Sequence, residues 1–121
     1  MSYVEIFIHA VVRTYKSEHT LPADEQRKTL YRIMHGIIKN KGSRLYRINS
    51  MSDHVHLLFT LPATIAISDF MRALKASSSK AIKDKPGFEK FKAWGEGYFN
   101  EEYMLFIREM GLEFEERDWD R

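Results

Sequence analysis

The fold is decided by two neighbouring strand-like runs, RLYRINS at residues 44–50 and DHVHLLFTL at residues 53–61. Only the short link Met51-Ser52 separates them, and such spacing favours an antiparallel hairpin. In an extended strand, alternate side chains point to opposite faces, so His54 and His56 share one face and the apolar residues beside them share the other. We therefore predict a hairpin with one apolar face and one histidine-bearing face.

The segments around this hairpin show the same two periodicities. Residues 3–15, YVEIFIHAVVRTY, alternate as a strand with one apolar face and His9 on the more polar face. Apolar residues recur at helical spacing before and after the hairpin, which predicts helices over about 23–41 and 65–83. After a Lys-Pro-Gly breaker, the last part of residues 88–99 predicts a fourth strand. Asn100 then predicts the cap of a short helix from Glu101 to about Met110.

The predicted order of the elements is strand, helix, strand, strand, helix, strand, helix. This order is typical of a ferredoxin-like α+β fold, in which an antiparallel sheet carries two helices on one face. A short C-terminal helix is added here. At 121 residues and 44% hydrophobic content, we expect one domain over residues 1–121, with the charged stretch 113–121 as a disordered acidic tail.

The charge of the chain is unevenly distributed. Residues 1–92 hold 16 basic and 8 acidic side chains, whereas residues 93–121 hold 3 basic and 9 acidic ones. A basic body of this kind is consistent with a polyanionic partner such as nucleic acid. No run approaches the roughly 18–20 apolar residues of a membrane helix, so we expect a soluble, cytoplasmic protein without a membrane partner.

The absence of cysteine limits the kinds of site that the chain can build. Disulfide frameworks and thiolate metal sites are excluded, which leaves histidine, carboxylate and amide ligands. His54 and His56, one pleat apart on the open face, can together hold one divalent cation. They can also simply end a half-buried strand, which is the ordinary role of an isolated His-x-His.

Several stretches of the chain resemble the HUH transposases of insertion sequences that use a single tyrosine, a family shared with the REP-associated tyrosine transposases. Asp53-His54-Val55-His56-Leu57-Leu58 resembles the family's His-hydrophobic-His strand, and residues 3–15 resemble its first strand. Residues 67–79, with Lys75, resemble its second helix. Trp94-Gly95-Glu96-Gly97-Tyr98 resembles its Trp-Gln-x-Gly-Tyr motif. The resemblance covers nearly the whole chain.

The resemblance implies a divalent metal, Mg²⁺ or Mn²⁺, held by His54 and His56. In the family, a Gln from a C-terminal helix completes this site. A tyrosine there attacks phosphorus and leaves a 5′-phosphotyrosyl strand and a free 3′-OH. Because two imidazoles make a softer site than oxygen ligands do, we expect Mn²⁺ to be favoured over Mg²⁺.

The family's Tyr-Ile-x-Asn-Gln helix has no counterpart after Tyr98, which suggests an internal deletion of the catalytic segment. A second alignment places Phe106-Ile107 on the Tyr-Ile pair and Met110 on the Gln. A third possibility is that Tyr103, on the first turn of the predicted last helix, acts as the nucleophile. Packing of the Tyr103 ring on the sheet is the simpler role.

The sequence therefore favours a transposase-like protein that binds single-stranded or hairpin DNA with impaired cleavage. An active transposase using Tyr103, or a ferredoxin-like protein-interaction module that does not bind DNA, are the alternatives. Relatives pair their sheets across a two-fold axis, so we also expect a homodimer. Six basic residues are candidates for phosphate contacts. They are Arg13, Arg44, Arg47, Arg72, Lys75 and Lys80.

Overall fold

The computed structural model describes the backbone of residues 4–95 and 101–109 and the side chains of residues 6–95. Within this part of the chain, the strands and α-helices follow the predicted order β-α-β-β-α-β. The first five differ from their predicted bounds by two residues at most. The elements are β1 Val4–Arg13, α1 Asp24–Asn40, β2 Leu45–Ser50, β3 His54–Thr60, α2 Ile67–Ile82 and β4 Glu101–Glu109.

The strands form one antiparallel sheet in the order β2-β3-β1-β4, which confirms the ferredoxin-like prediction. The predicted hairpin is present, with a register irregularity between Leu45 and Arg47. In the part of the chain that the structure describes, neither α1 nor α2 is long and apolar enough to cross a membrane.

Both helices cover the same face of the sheet. Alternate residues of β1 and β3 point toward them, and Phe59 of β3 stacks on Phe70 of α2 with ring centroids 4.7 Å apart. Burying apolar area in this way is the main favourable contribution to folding. The fully buried core residues include the following: Ile8, Ala10, Val12, Val55, Leu57, Phe59, Leu30, Met34, Phe70 and Leu74.

The predicted helix from Glu101 to Met110 is wrong, because Glu101–Glu109 forms the edge strand β4. Asn100 and the acidic residues after it are local helix-start signals, but they are weak compared with tertiary pairing. The outer edge of β1 needs hydrogen-bond partners for its backbone, and β4 pairs with it from Val12↔Glu101 to Val4↔Glu109. Aromatic and β-branched residues in this segment also suit a strand.

The predicted fourth strand at the end of residues 88–99 lies largely outside the described residues, as does the predicted tail at 113–121. The first part of that predicted strand is described, and there Trp94 forms an isolated antiparallel bridge with Thr14. The Gly95 N–H also donates to the Arg13 carbonyl at 2.8 Å. The described pairs Thr14↔Trp94 and Val12↔Glu101 therefore flank Arg13 on β1.

Trp94 belongs to the core. It is 4% exposed, and its indole N–H donates to the Ser78 hydroxyl at 2.9 Å. Its ring meets Phe91 edge-on, with centroids 4.9 Å apart. A buried Trp with a satisfied N–H stabilises the fold, so this ring is not available to stack on an unpaired base.

Replacing Trp94 with Phe should lower the free energy of unfolding by about 1–3 kcal/mol, because the smaller ring leaves unfilled space and the Ser78 hydroxyl keeps only its bond to the Lys75 carbonyl. Urea unfolding followed by circular dichroism measures the change. Ser78→Ala is the matched control and should cost a similar amount, since it leaves the indole N–H buried and unpaired. A Trp94→Phe protein as stable as the parent would show that this hydrogen bond contributes nothing.

Candidate functional site

His54 and His56 point to the sheet face opposite the helices, as the alternation predicted. In the β1–β3 register, Arg13 lies opposite His54 and Val11 lies opposite His56. Directly opposed residues share a face of the sheet, so all four side chains lie on this open face. His9, on the same face, stacks on His56 with ring centroids 5.9 Å apart and an interplanar angle of 19°.

The two histidines contact each other directly, with their Nε2 atoms within hydrogen-bond distance. Their Nε2 atoms are 3.0 Å apart, and their rings meet edge-on at 79° with centroids 4.7 Å apart. Two imidazole nitrogens that bind one ion at about 2.1 Å with an angle near 90° lie about 3.0 Å apart. The spacing is thus compatible with a shared divalent cation, which would displace the proton of the hydrogen bond between the two Nε2 atoms.

Asp53 forms a hydrogen bond with the ring nitrogen of His54 that does not contact His56. Its Oδ1 lies 2.6 Å from Nδ1 of His54, so the Nδ1–H donates to the carboxylate. Histidines that bind metals commonly donate their other N–H to a carboxylate in this way. The Asp53 carbonyl is itself held by Thr14, whose N–H and hydroxyl approach it at 2.9 and 3.1 Å.

The pKa values of this cluster favour the forms that bind a cation. Burial lowers the pKa of His56 from its ordinary value of 6.5, and the charges of His54, His9 and Arg13 lower it further. For Asp53, burial raises the pKa, but the hydrogen bond and charge of His54 and the charge of His19 outweigh it, so the net pKa is lowered from 3.8. At neutral pH, His56 is thus neutral and Asp53 is charged.

Sequence reasoning assigned no role to Asp53 or His19. In a regular strand, Asp53 would point away from His54, but Asp53 lies in the turn before β3 and is free to fold back. The Asp-His pair in the sequence was the available signal. His19 makes a hydrogen bond through Nδ1 to the Ser52 hydroxyl at 2.5 Å, and the Thr20 and Leu21 N–H groups bond the Ser52 carbonyl. The loop after β1 therefore fixes the turn that carries Asp53.

Comparison with known proteins gives the family of this fold and site. Residues 2–113 match the family described as "Transposase IS200 like", which is most of the 121-residue chain. The chain belongs to the IS200-like transposase family. This match confirms the family resemblance that was inferred from the histidine strand and its flanking motifs.

Two transposases illustrate how similar the members of this family are. The ISDra2 transposase TnpA of Deinococcus radiodurans is 29% identical over 103 residues, which cover 85% of this chain and 74% of that protein. The transposase for insertion sequence element IS200 of Salmonella typhimurium is 30% identical over 80 residues, covering 62% of this chain. The match spans only about half, 53%, of the Salmonella protein.

Two solved structures share the fold of this IS200-like chain. A transposase structure from Deinococcus radiodurans R1 has a TM-score of 0.66 and 23% identity, and covers 96% of this chain and 84% of its own. A REP-associated tyrosine transposase bound to a REP hairpin has a TM-score of 0.53 and 14% identity, covering 96% and 60%. At these identities, the likeness supports the α+β fold alone.

The six basic candidates of this transposase-family chain fall into two groups. Arg13 and Arg47 belong to the open face, in register with His54 and Leu58, and exposed Arg44 lies just before β2 with its guanidinium 5.4 Å from the Tyr46 ring. The other three are on α2, in the layer on the opposite face of the sheet. They are Arg72, which pairs with Asp69 at 3.0 Å, Lys75 and Lys80.

Tyr103 lies in β4, and its register partner is Ala10. Ala10 is buried on the helix-covered face, whereas the positions registered with Val11 and His9 are Glu102 and Met104. Among residues whose side chains are described, no cluster of three or more histidine, cysteine, aspartate or glutamate residues is arranged to hold a metal ion. A third protein ligand to the candidate metal is therefore not assigned.

The stability of the metal-free protein should fall as the pH drops below about 6.5. The pKa of His56 is lower in the folded chain than in the unfolded chain, so the unfolded chain takes up a proton first. Stability is retained above 6.5 and is lost as the pH falls through the folded pKa. Thermal unfolding in EDTA between pH 7.5 and about 5 measures this slope.

His56→Gln should flatten that slope because it removes the titrating group. His35→Gln removes an exposed histidine on α1 and should keep the parental slope. A His56→Gln protein with an unchanged slope would mean that other groups cause the acid sensitivity.

Proposed function

We propose that these 121 residues bind single-stranded or hairpin DNA on the open face of the sheet and hold a divalent metal, Mg²⁺ or Mn²⁺, between His54 and His56, without cleaving the DNA. The observation that carries the proposal is the 3.0 Å separation of the two Nε2 atoms, with Asp53 behind His54. Transposases of this family generally depend on a metal. The relative by fold that is bound to a REP hairpin supports a hairpin as the DNA form.

The residues have separate roles in this proposal. His54 and His56 present Nε2 lone pairs to the metal, while Asp53 fixes the ring of His54 and holds its proton on Nδ1. When bound, the metal neutralises phosphate charge. The phosphate lies over the open face, where Arg13 and Arg47 add positive charge. Because its partner is DNA, we expect the protein to act in the cytoplasm.

The two groups of basic residues suggest two contacts with one folded-back DNA. Arg13, Arg44 and Arg47 contact the strand that lies near the histidines. The residues of α2 are on the other side of the sheet, so they can reach only a second segment, such as the stem of a hairpin. They are Arg72, Lys75 and Lys80. A homodimer, also part of this proposal, would offer the same surfaces twice.

Binding without cleavage follows from the missing nucleophile. No Tyr-Ile-x-Asn-Gln run occurs in these 121 residues. Tyr103, the remaining candidate, is registered with Ala10 and not with a residue of the open face. The described site also has two metal ligands, and water activated by a poorly fixed ion is a weak substitute for a covalent nucleophile.

His54→Ala and His56→Ala should each weaken Mn²⁺ binding while leaving the protein folded, because both side chains point away from the core. Asp53→Asn should weaken it by about 10–100-fold, the usual cost of losing an outer-shell partner. Calorimetric titration with Mn²⁺ and then Mg²⁺ measures the affinities, and Mn²⁺ should bind more tightly. His35→Ala on α1 is the matched control. Variants that unfold with unchanged metal affinity would make the histidines structural.

The protein should bind a labelled DNA hairpin with an affinity that falls as salt rises, yet form no covalent adduct with it in Mn²⁺. Arg47→Gln should weaken binding and reduce the salt slope by about one, the effect of one lost phosphate contact. Lys28→Gln, an exposed residue of α1 outside both basic groups, should change neither. Band shifts measure binding, and a denaturing gel detects the adduct.

Two results would contradict this proposal in different ways. Failure to bind any hairpin or single strand at low salt would favour a protein-interaction module. A covalent adduct that disappears in Tyr103→Phe would show an active transposase that uses Tyr103.

A further inference from the structure

Two exposed apolar side chains lie at the end of the sheet that carries the histidines. Among the described side chains, Tyr15 and Met51 are the large hydrophobic residues that stay exposed, at 38% and 56%. The Met51 N–H donates to the His54 carbonyl at 2.9 Å, and Tyr15 directly follows Thr14, which bonds the Asp53 carbonyl. Single exposed apolar residues are common on protein surfaces, but these two belong to the backbone segments that hold Asp53 and His54.

The backbone after Tyr15 adopts an uncommon conformation. Lys16 and Ser17 both have φ of 55°, in the left-handed region that residues with a Cβ seldom occupy. The turn is held on both sides, because the Tyr15 N–H bonds the Ala93 carbonyl at 2.9 Å and the Thr14 hydroxyl bonds the Glu18 carbonyl at 2.6 Å. Such conformations persist where surrounding contacts fix them, and they cluster at ligand sites.

A lysine ammonium lies over the exposed ring, and a second lysine pairs with a residue of the same loop. The Lys16 ammonium lies 5.3 Å from the centroid of Tyr15, a cation–π contact that draws the charge to the ring. Lys92 forms an ion pair with Glu18 of the same loop at 3.7 Å and keeps 67% of its side chain exposed. An aromatic ring with nearby cations suits one ligand class well, an unpaired nucleotide, whose base stacks while its phosphate is neutralised.

We propose that Tyr15 is a stacking platform for an unpaired nucleotide next to the phosphate held at His54 and His56. Lys16 supplies charge to the phosphate backbone, and Met51 extends the apolar surface. This proposal rests on the DNA binding proposed above and adds to it the position of the unpaired part of the DNA. In this proposal, Tyr15 contacts the base next to the phosphate at the histidines and not the phosphate itself.

The test compares two DNA hairpins that share one stem, one blunt and one with a single-stranded extension that carries 2-aminopurine. With the wild-type protein, the extended hairpin should bind more tightly, and the 2-aminopurine fluorescence should be quenched by stacking. Tyr15→Ala should weaken binding of the extended hairpin by about fivefold or more and abolish the quenching. Tyr15→Phe keeps the ring and should retain both. Binding of the blunt hairpin should be the same for all three proteins.

The possible failures are distinguishable. A wild-type protein that binds neither hairpin overturns the proposed DNA binding itself. If the wild-type protein binds both hairpins with equal affinity and does not quench the 2-aminopurine, only the stacking platform is overturned. This comparison uses the wild-type protein alone, so it does not depend on whether a variant folds. Tyr15→Ala binding the extended hairpin as tightly as wild type, or losing affinity for both hairpins equally, also overturns the platform. If Tyr15→Ala loses affinity for both hairpins equally, Tyr15 either stabilises the fold or belongs to a surface that binds DNA of any form. Thermal unfolding of the variant distinguishes these two roles.

Discussion

Opposed residues of the β1–β3 ladder share a face of the sheet, and the remaining structure depends on this pairing. Every second pair along the ladder belongs to the core beneath the helices, and the alternating pairs belong to the face that carries the histidines. A slip of one residue would bury His54 and His56 and expose the core residues, at a large cost in apolar burial. Folding energy therefore also selects the geometry of the site. The core pairs are Ile8↔Phe59, Ala10↔Leu57 and Val12↔Val55, and the histidine pairs are Val11↔His56 and Arg13↔His54.

The end of this ladder brings several functional features together. The N–H of Thr14, buried at the end of β1, donates to the Asp53 carbonyl, and the Asp53 carboxylate bonds His54. The same loop continues through Tyr15 to His19, which holds the turn at Ser52. The candidate histidine pair and the exposed ring therefore rest on one set of hydrogen bonds. A change in the loop after β1 should therefore alter the position of the histidines, although the loop and the histidines are more than thirty residues apart in sequence.

Periodicity predicted β1, both helices and the hairpin because each buries an apolar face that repeats along the chain. The shared face of His54 and His56 followed from the same alternation. The alternation could not predict the contact of Asp53 with His54, because the side chain of a turn residue does not follow the pleat of the strand. It also could not predict the partner of His19, because Ser52 comes from a distant segment. The helix predicted at Glu101 failed for a similar reason: local capping signals carry no information about the unpaired edge of β1 that the segment fills.

The identity of β4 as a strand also bears on the chemistry. On the predicted helix, Tyr103 could have been turned toward the histidines by a small rotation. In a strand paired with β1, its position is fixed opposite Ala10, on the face that the helices cover, while Glu102 and Met104 hold the positions of the histidine face. Bringing Tyr103 to the histidines would require β4 to shift its register by one residue, which exchanges the faces of every residue in the strand. Such a shift would disturb the pairing along the whole of β1, so the sheet fixes the register position of this tyrosine.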